Sequence, residues 1–217
     1  MNFGMIARLF DEPESAAAAG RVFGVAVGIV TNNQDPDGLG RVKVRFPWLS
    51  DGEESHWARI AVPMAGGGRG LYFLPEVDDE VLVAFEHGDL RFPYVLGALW
   101  NGKDAPPADN GDGKNNLRVI KSRSGHVIKL NDEDGKETIE IIDKSEKNSI
   151  LVDTAKNTVT ITADKDITLS APQGTIKLDA QKVEIASSAD TKLEAGAGLD
   201  VKASATLNIK GATVNIN

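Results

Sequence analysis

The chain has 217 residues, 41% hydrophobic, 26% charged and 6% aromatic, which leaves room for one or two modest domains. It contains no cysteine, which excludes a disulfide framework, and its formal net charge of −8 disfavours a surface built to neutralise phosphates, so no nucleic-acid partner is expected. No apolar run approaches the roughly 20 residues of a transmembrane helix, and Met1 to Phe10, followed by Glu12, Pro13 and Glu14, is too short and interrupted for a signal peptide.

Residues 1–21 form an N-terminal segment in which Phe3, Met5, Ile6, Leu9 and Phe10 are apolar. A short docking helix and a frayed terminus are both open there. All three Trp, both Tyr and all seven Phe fall before residue 101, which separates an aromatic-bearing part from an aliphatic one. Residues 22–101 read as an all-β domain. Val22–Thr31, Arg41–Phe46, Trp57–Val62, Val81–Phe85 and Tyr94–Leu99 are strand-like, set apart by Gly, Pro and Asp clusters, and five strands in this length suggest a small barrel. Asp35-Pro36-Asp37-Gly38 is a turn signal, because Pro presets φ and Gly tolerates a positive φ. Ala65 to Gly70 is a glycine-rich loop without the Lys-Ser/Thr of a phosphate cradle, and close backbone packing or loop flexibility accounts for it. Residues 102–116, rich in Pro, Gly, Asp and Asn, read as a linker.

Residues 117–217 read as a β-helix, most plainly from residue 159 onward. There an aliphatic-polar-aliphatic triplet recurs: Val159-Thr160-Ile161, Ile167-Thr168-Leu169, Ile176-Lys177-Leu178, Val183-Glu184-Ile185, Thr191-Lys192-Leu193, Leu199-Asp200-Val201, Leu207-Asn208-Ile209 and Val214-Asn215-Ile216. Successive starts are 8, 9, 7, 8, 8, 8 and 7 residues apart. Alternate side chains of a strand point to opposite faces, so each triplet turns its two outer residues one way and its middle residue the other. Fifteen of the sixteen inward positions are Val, Ile or Leu, with Thr191 the exception, and all eight outward positions are polar. An amphipathic helix would need i, i+3, i+4 spacing, and the calcium-binding nonapeptide pattern is absent. Eight residues per unit are too few for one chain to enclose its own core, since single-chain solenoids use about 20 or more per coil. Several identical chains sharing one apolar axis solve that problem, which suggests an intertwined parallel homotrimer with an aliphatic interior. Its core would comprise Val159, Ile161, Ile167, Leu169, Ile176, Leu178, Val183, Ile185, Leu193, Leu199, Val201, Leu207, Ile209, Val214 and Ile216. The outward Thr, Lys, Glu, Asp and Asn make a mixed, solvated surface.

The run Asp35-Pro36, Leu39 to Trp48, Trp57 to Ala61, Ala65-Gly66, Gly70, Leu74-Pro75-Glu76, Asp79 to Phe85, Gly88-Asp89 and Pro93 to Gly97 resembles the oligonucleotide/oligosaccharide-binding (OB) domain of contractile tail spikes. These are the phage baseplate assembly protein V family and the valine-glycine-repeat protein G (VgrG) spikes of type VI secretion. Ser124 to Ile128, Asn131-Asp132, Gly135 and Glu137 to Ile141 are similar to the segment that opens the β-helix of those spikes. The resemblance implies a trimeric central spike beneath the tail tube. In it the OB domain packs on a hub and the β-helix forms a needle that contacts the target membrane transiently. Such a spike would be assembled in the bacterial cytoplasm as part of a baseplate and leave the cell with a phage, tailocin or injection particle. With no hub or lysozyme segment visible, a separate hub protein is expected, onto which residues 1–21 could dock, and wall digestion is expected elsewhere.

No catalytic, cofactor or metal site is expected. His56, His87 and His126 lie in different segments without metal-ligand spacing and read as strand or turn residues. Glu76, Asp78, Asp79 and Glu80 enter a strand from a turn, whereas acid–base pairs need separate elements around a cleft, and no Gly-x-Ser-x-Gly elbow accompanies any Ser. Some phage spikes carry a His-x-His metal site at the tip, but the last run here has no His. The expectation is a blunt end at which Val214, Asn215, Ile216 and Asn217 dock a PAAR-type tip protein by main-chain pairing and apolar contact. A trimeric receptor-binding fibre or adhesin is the rival reading, and it would require a distal globular head.

Overall fold

The computed structural model describes residues 20–50 and 52–215, so most of the N-terminal segment for which docking was one expectation, together with Ile216 and Asn217, lies outside the described residues. The chain divides into two units, one ending at Asp164 and one beginning at Lys165.

Seven strands lie between residues 25 and 98 of the first unit: β1 (Val25–Asn32), β2 (Lys43–Arg45), β3 (Arg59–Ile60), β4 (Ala65–Gly66), β5 (Arg69–Gly70), β6 (Glu80–Phe85) and β7 (Pro93–Ala98). Five of them form a sheet in the order β2-β1-β6-β7-β3, antiparallel except for the parallel β7–β3 pair. The sheet then closes on itself. The Val42 N–H donates to Ala58 O at 3.0 Å, and the Ala58 N–H donates back to Val42 O at 2.7 Å, so the β2 and β3 segments meet. The resulting ring, β1-β2-β3-β7-β6, is the strand order of an OB barrel, and closure leaves no bare edge.

Alternation fills the barrel. In β6, Val81, Val83 and Phe85 point inward, and they meet Val30, Val42, Val44, Phe46, Ala58 and Val95, all buried. The Phe46 and Phe85 rings pack tilted with centroids 5.4 Å apart. This compact β-branched filling leaves no room at Gly28, where a Cβ would stand 2.2 Å from Val44 Cγ1. Gly28→Ala should therefore destabilise the barrel by about 1–3 kcal/mol, read as a lower urea midpoint at unchanged m-value. A midpoint equal to the parent's would show that the core gives way there at no cost.

The glycine-rich stretch expected to be a loop is instead a tight hairpin, β4 pairing β5 with Gly67 and Gly68 at its tip. Gly68 takes φ +64°, and Gly70 takes φ +149° with Met64 O against the position a Cβ would fill, so glycine is required at both. β3 is shorter than the expected Trp57–Val62 because this segment pairs with β2 on one side and β7 on the other over different residues. Residues 102–116 contain no strand.

Residues 117–162 depart from the expectation of one β-helix over 117–217. They form a meander within a single chain: β8 (Leu117–Lys121), β9 (Val127–Asn131), β10 (Thr138–Ile142), β11 (Ser149–Asp153) and β12 (Thr158–Thr162), each antiparallel to the next. The cause is local. Each reversal contains one residue with positive φ, in turn Gly125 (101°), Gly135 (72°), Glu146 (60°) and Asn157 (54°), which lets the chain double back. After Asn157 no described residue has a positive φ, and no described residue from 163 onward belongs to a strand. Among the described residues of the eight triplets, only Val159-Thr160-Ile161 sits in an intrachain ladder.

Candidate functional site

The register of the meander aligns its side chains in rows. Ile120 lies opposite Ile128, Ile128 opposite Ile141, Ile141 opposite Ile150, and Ile150 opposite Ile161, so five isoleucines cross the sheet in one line. Two residues along each strand, a second row on the same face runs Arg118, Leu130, Ile139, Val152 and Val159. Nine of these ten residues are aliphatic. Ile120, Ile128, Ile141, Ile150 and Ile161 are each 42–56% exposed, far from the burial of the barrel core. Arg118 sits at the margin, where its guanidinium pairs with Asp132 at 3.0 Å. The reverse face is mixed: Lys129 pairs with Glu140 at 2.9 Å, beside Thr138, Thr158, Thr160 and Thr162. Val159 and Ile161 therefore stand on the aliphatic face with Thr160 turned away, the orientation the alternation of the first triplet requires.

Sequence reasoning singled out Val159 and Ile161 but missed Ile120, Ile128, Leu130, Ile139, Ile141, Ile150 and Val152. The signal was there as alternating segments beginning at residues 118, 128, 139, 150 and 159, hidden because the turns between them are longer than those of the octads.

In the second unit the remaining core candidates are exposed in the single chain: Ile167, Leu169, Ile176, Leu178, Val183, Ile185, Leu193, Leu199, Val201, Leu207, Ile209 and Val214. The alternation is legible in its ion pairs. Lys177 pairs with Asp179 at 3.0 Å, Lys182 with Glu184, Lys192 with Glu194, and Lys202 with Asp200 at 3.6 Å, each two residues apart and so on one side of an extended chain. Each pair includes a triplet's polar middle residue and balances its charge. Of the docking residues expected at the end, Val214 and Asn215 are exposed, while Ile216 and Asn217 lie outside the described residues.

The barrel carries a second feature, a strip of Arg41, Lys43, Trp57, Arg59 and Tyr94 on the β2–β3–β7 side, where OB folds commonly bind oligonucleotides or oligosaccharides. Arg41 and Lys43 lie 5.9 and 5.6 Å from the Trp57 ring centre, and Arg59 lies 5.5 Å from that of Tyr94. Overall charge alone does not reveal such a strip. Two of its three cations are held by carboxylates, Lys43 by Glu54 at 2.9 Å and Arg41 by Asp35 and Asp37 at 2.7 and 2.6 Å. These ion pairs pin the barrel's own loops.

Asp35 is the centre of that pin. Its buried carboxylate accepts from Arg41 Nε at 2.8 Å and a second guanidinium nitrogen at 2.7 Å, and from the backbone N–H groups of Asp37, Leu39 and Arg41. The Arg41 guanidinium above all, with these N–H groups, holds the Asp35 carboxyl well below the usual carboxylate range against the opposing effect of burial, and Arg41 is raised in turn. Asp89 is lowered to about 2 by Arg91, and Asp143 to about 2 by Asn148 and then Ser145. Groups depressed in the folded state stabilise it fully above their unfolded pKa of about 3.9 and lose that contribution as pH falls through the folded value. From these groups, thermal stability should stay level between about pH 7 and 5 and fall between about pH 4 and 2. The Asp143→Asn variant should show a shallower fall, and an acid limb as steep as the parent's would remove Asp143 from this role.

The histidines are dispersed. His126 Nδ1 accepts the Lys144 N–H at 3.2 Å, and His87 holds a turn at φ 49°. Among the described residues no group of three or more His, Cys, Asp or Glu could hold a metal ion, and no helix is long and apolar enough to cross a membrane.

Residues 26–100 match the family model described as the type VI secretion system/phage-baseplate injector OB domain. Residues 26–100 thus form an OB domain of the type VI secretion system/phage-baseplate injector kind. The chain is 32% identical over 141 residues to the type VI secretion system spike protein VgrG4b of Pseudomonas aeruginosa, an alignment covering 54% of this chain and 17% of that protein. Type VI secretion system spike protein VgrG3 of Vibrio cholerae is 37% identical over 75 residues, covering 33% of this chain and 7% of the relative. Actin cross-linking toxin VgrG1, also of Vibrio cholerae, matches to the same extent. The chain thus spans less than a fifth of the length of these VgrG-like relatives. The alignment to VgrG4b is longer than the OB domain itself.

Proposed function

We propose that the chain is the structural central spike of a contractile injection apparatus, a homotrimeric needle that stands under a separate hub protein, carries a tip protein and punctures the target envelope. The observation that carries this reading is the aliphatic face of residues 118–161, which is half exposed in one chain and continues in the same alternation through the octads. Nine aliphatic side chains on one side of a five-stranded sheet demand cover, and each contributes roughly 1.5–3 kcal/mol when fully buried. Three copies facing one axis supply that cover to one another.

The role is mechanical. Main-chain pairing along a closed shaft makes bending break many hydrogen bonds together, and the balanced Lys–acid pairs outside keep the shaft from adhering to what it crosses. The OB barrel faces the hub. Val214, Asn215, Ile216 and Asn217 present strand ends to a PAAR-type tip protein. No step of bond making or breaking is assigned to the chain, and the spike is assembled in the bacterial cytoplasm before it leaves with the particle.

A tagged chain expressed in its native host should co-purify with sheath, tube and hub proteins, and deletion of its gene should leave particles without a central spike by electron microscopy. Intact, spike-bearing particles from the deletion strain would contradict the assignment.

A further inference from the structure

The outer surface of the barrel is not polar all round. On β2 and β3 the side chains that turn outward include Lys43, Arg45 and Arg59, as a solvated sheet face requires. On β1 and β6 they include Val25 and Val27, which lie opposite Ala84 and Leu82. Phe23 and Phe92 extend this face at the β6–β7 turn, and Leu96 extends it at the irregularity in β7. Phe23, Val25, Val27, Phe92 and Leu96 are 41–70% exposed, although a charge-free run of aliphatic and aromatic side chains on a sheet ordinarily marks a contact surface. Glu86 is the acid at its margin, where its carboxylate accepts from the Tyr94 hydroxyl at 2.5 Å.

The chain enters the barrel at one end of this face. Arg21 bridges to Asp89, the Val22 N–H donates to Gly88 O at 2.8 Å, and Phe23 lies against Gly88, so the entry point is fixed. Nineteen residues precede Gly20. The nine of them from Asp11 to Ala19 are acidic, small or Pro, and when extended they span up to about 30 Å, whereas β1 is about 26 Å long. That spacer can return the first ten residues to any point of the face. Within those ten, Phe3, Ile6 and Phe10, with Met5 and Leu9 between them, fall at the spacing of a single helical stripe, and Arg8 is the one charged side chain.

We infer that residues 3–10 of the chain's own N-terminal segment pack on the outer face of β1, β6 and β7, with the apolar stripe on Val25, Val27 and Leu96 and with Arg8 toward Glu86. The tether makes this contact intramolecular, so it forms at an effective concentration that no separate partner matches without affinity of its own. The segment is a cover for the barrel, and in the free chain it closes this face to other proteins. The inference needs only the barrel and holds whether or not three copies assemble.

The chain lacks cysteine, so Val27→Cys supplies a single thiol on the face. Its rate of maleimide labelling in the full chain is compared with the rate in the same chain carrying Ile6→Asp and Phe10→Asp, after light scattering and tryptophan fluorescence have shown equal mass and an intact barrel. Labelling should be several-fold faster in the chain with the two acids. A photo-crosslinking benzoylphenylalanine at position 10 should link within one chain, to the span Phe23–Ile29 or to Leu82–Ala84. Equal labelling rates overturn the inference and leave the face to a separate protein. Crosslinks that join two chains overturn it in favour of a second copy.

Discussion

Ile141→Asp is expected to abolish the trimer while leaving the barrel and the meander folded. Ile141 sits at the centre of the isoleucine row on the middle strand β10, and in a single chain it is 48% exposed. A carboxylate at so open a site costs an isolated chain little, about 0.5–1 kcal/mol, because water still reaches it. In the assembly the same substitution sets three carboxylates against an aliphatic interior. Each would need to shed water or take up a proton, at several kcal/mol apiece, and no cation stands on that face except the marginal Arg118. The asymmetry is the informative part: a large loss of association with the barrel intact, read as a threefold fall in molar mass with unchanged tryptophan fluorescence from Trp48, Trp57 and Trp100. Leu207→Asp should do the same from within the octads. Lys177→Asp, on the outward side, should leave the mass unchanged. Trimers of Ile141→Asp as heat-stable as the parent would rule out the shared aliphatic core.

Val44→Asp should have the opposite profile and unfold the barrel. Val44 is fully buried, pairs with Val30 across the β1–β2 ladder, and its Cγ1 occupies the space that Gly28 leaves. Nothing polar is free to receive a carboxylate there, since the Val44 N–H and C=O are already taken by Ser55. An unpaired buried charge costs more than about 4–5 kcal/mol, which consumes most of the roughly 5–15 kcal/mol that holds a domain folded. Thermal unfolding followed by tryptophan fluorescence isolates the effect, because Trp48, Trp57 and Trp100 all lie in or beside the barrel. The expected trace has no cooperative barrel transition, and a melting point within a few degrees of the parent's would mean that Val44 is not the core residue its burial indicates.

These two variants separate what was legible in the sequence from what was not. The barrel was legible because its five runs alternate cleanly and its turns are marked, and the observed β1, β2, β6 and β7 fall inside or within a residue or two of the expected spans. The function of Asp35 in its turn was half legible. Asp-Pro-Asp-Gly announces a reversal, but that one carboxylate collects five hydrogen bonds and fixes Arg41 depends on tertiary placement. The β4–β5 hairpin was missed because glycine is permissive: the same residues serve a loose loop or a tight turn, and only the positive φ values at Gly68 and Gly70 decide. The octads declared themselves by strict spacing. The aliphatic rows of residues 118–161 did not, since the reversals between them are uneven in length and the rows emerge only once the register is known.

The self-pairing of residues 117–162 also changes what the octads mean. In sequence they read as the plainest part of a shaft shared from residue 117 onward; in the structure the first of them is the last strand of a meander that one chain completes alone. The described residues of the remaining triplets keep their alternation with no intrachain ladder to hold it. The proposed assembly resolves that conflict between pattern and pairing by taking the partners from other copies.

The molar mass of the purified chain by light scattering, measured at several concentrations, tests that account most directly. The prediction is three times the 23.1 kDa of one chain, independent of dilution into the nanomolar range. A mass of one chain at micromolar concentration would leave the aliphatic face uncovered and contradict the account.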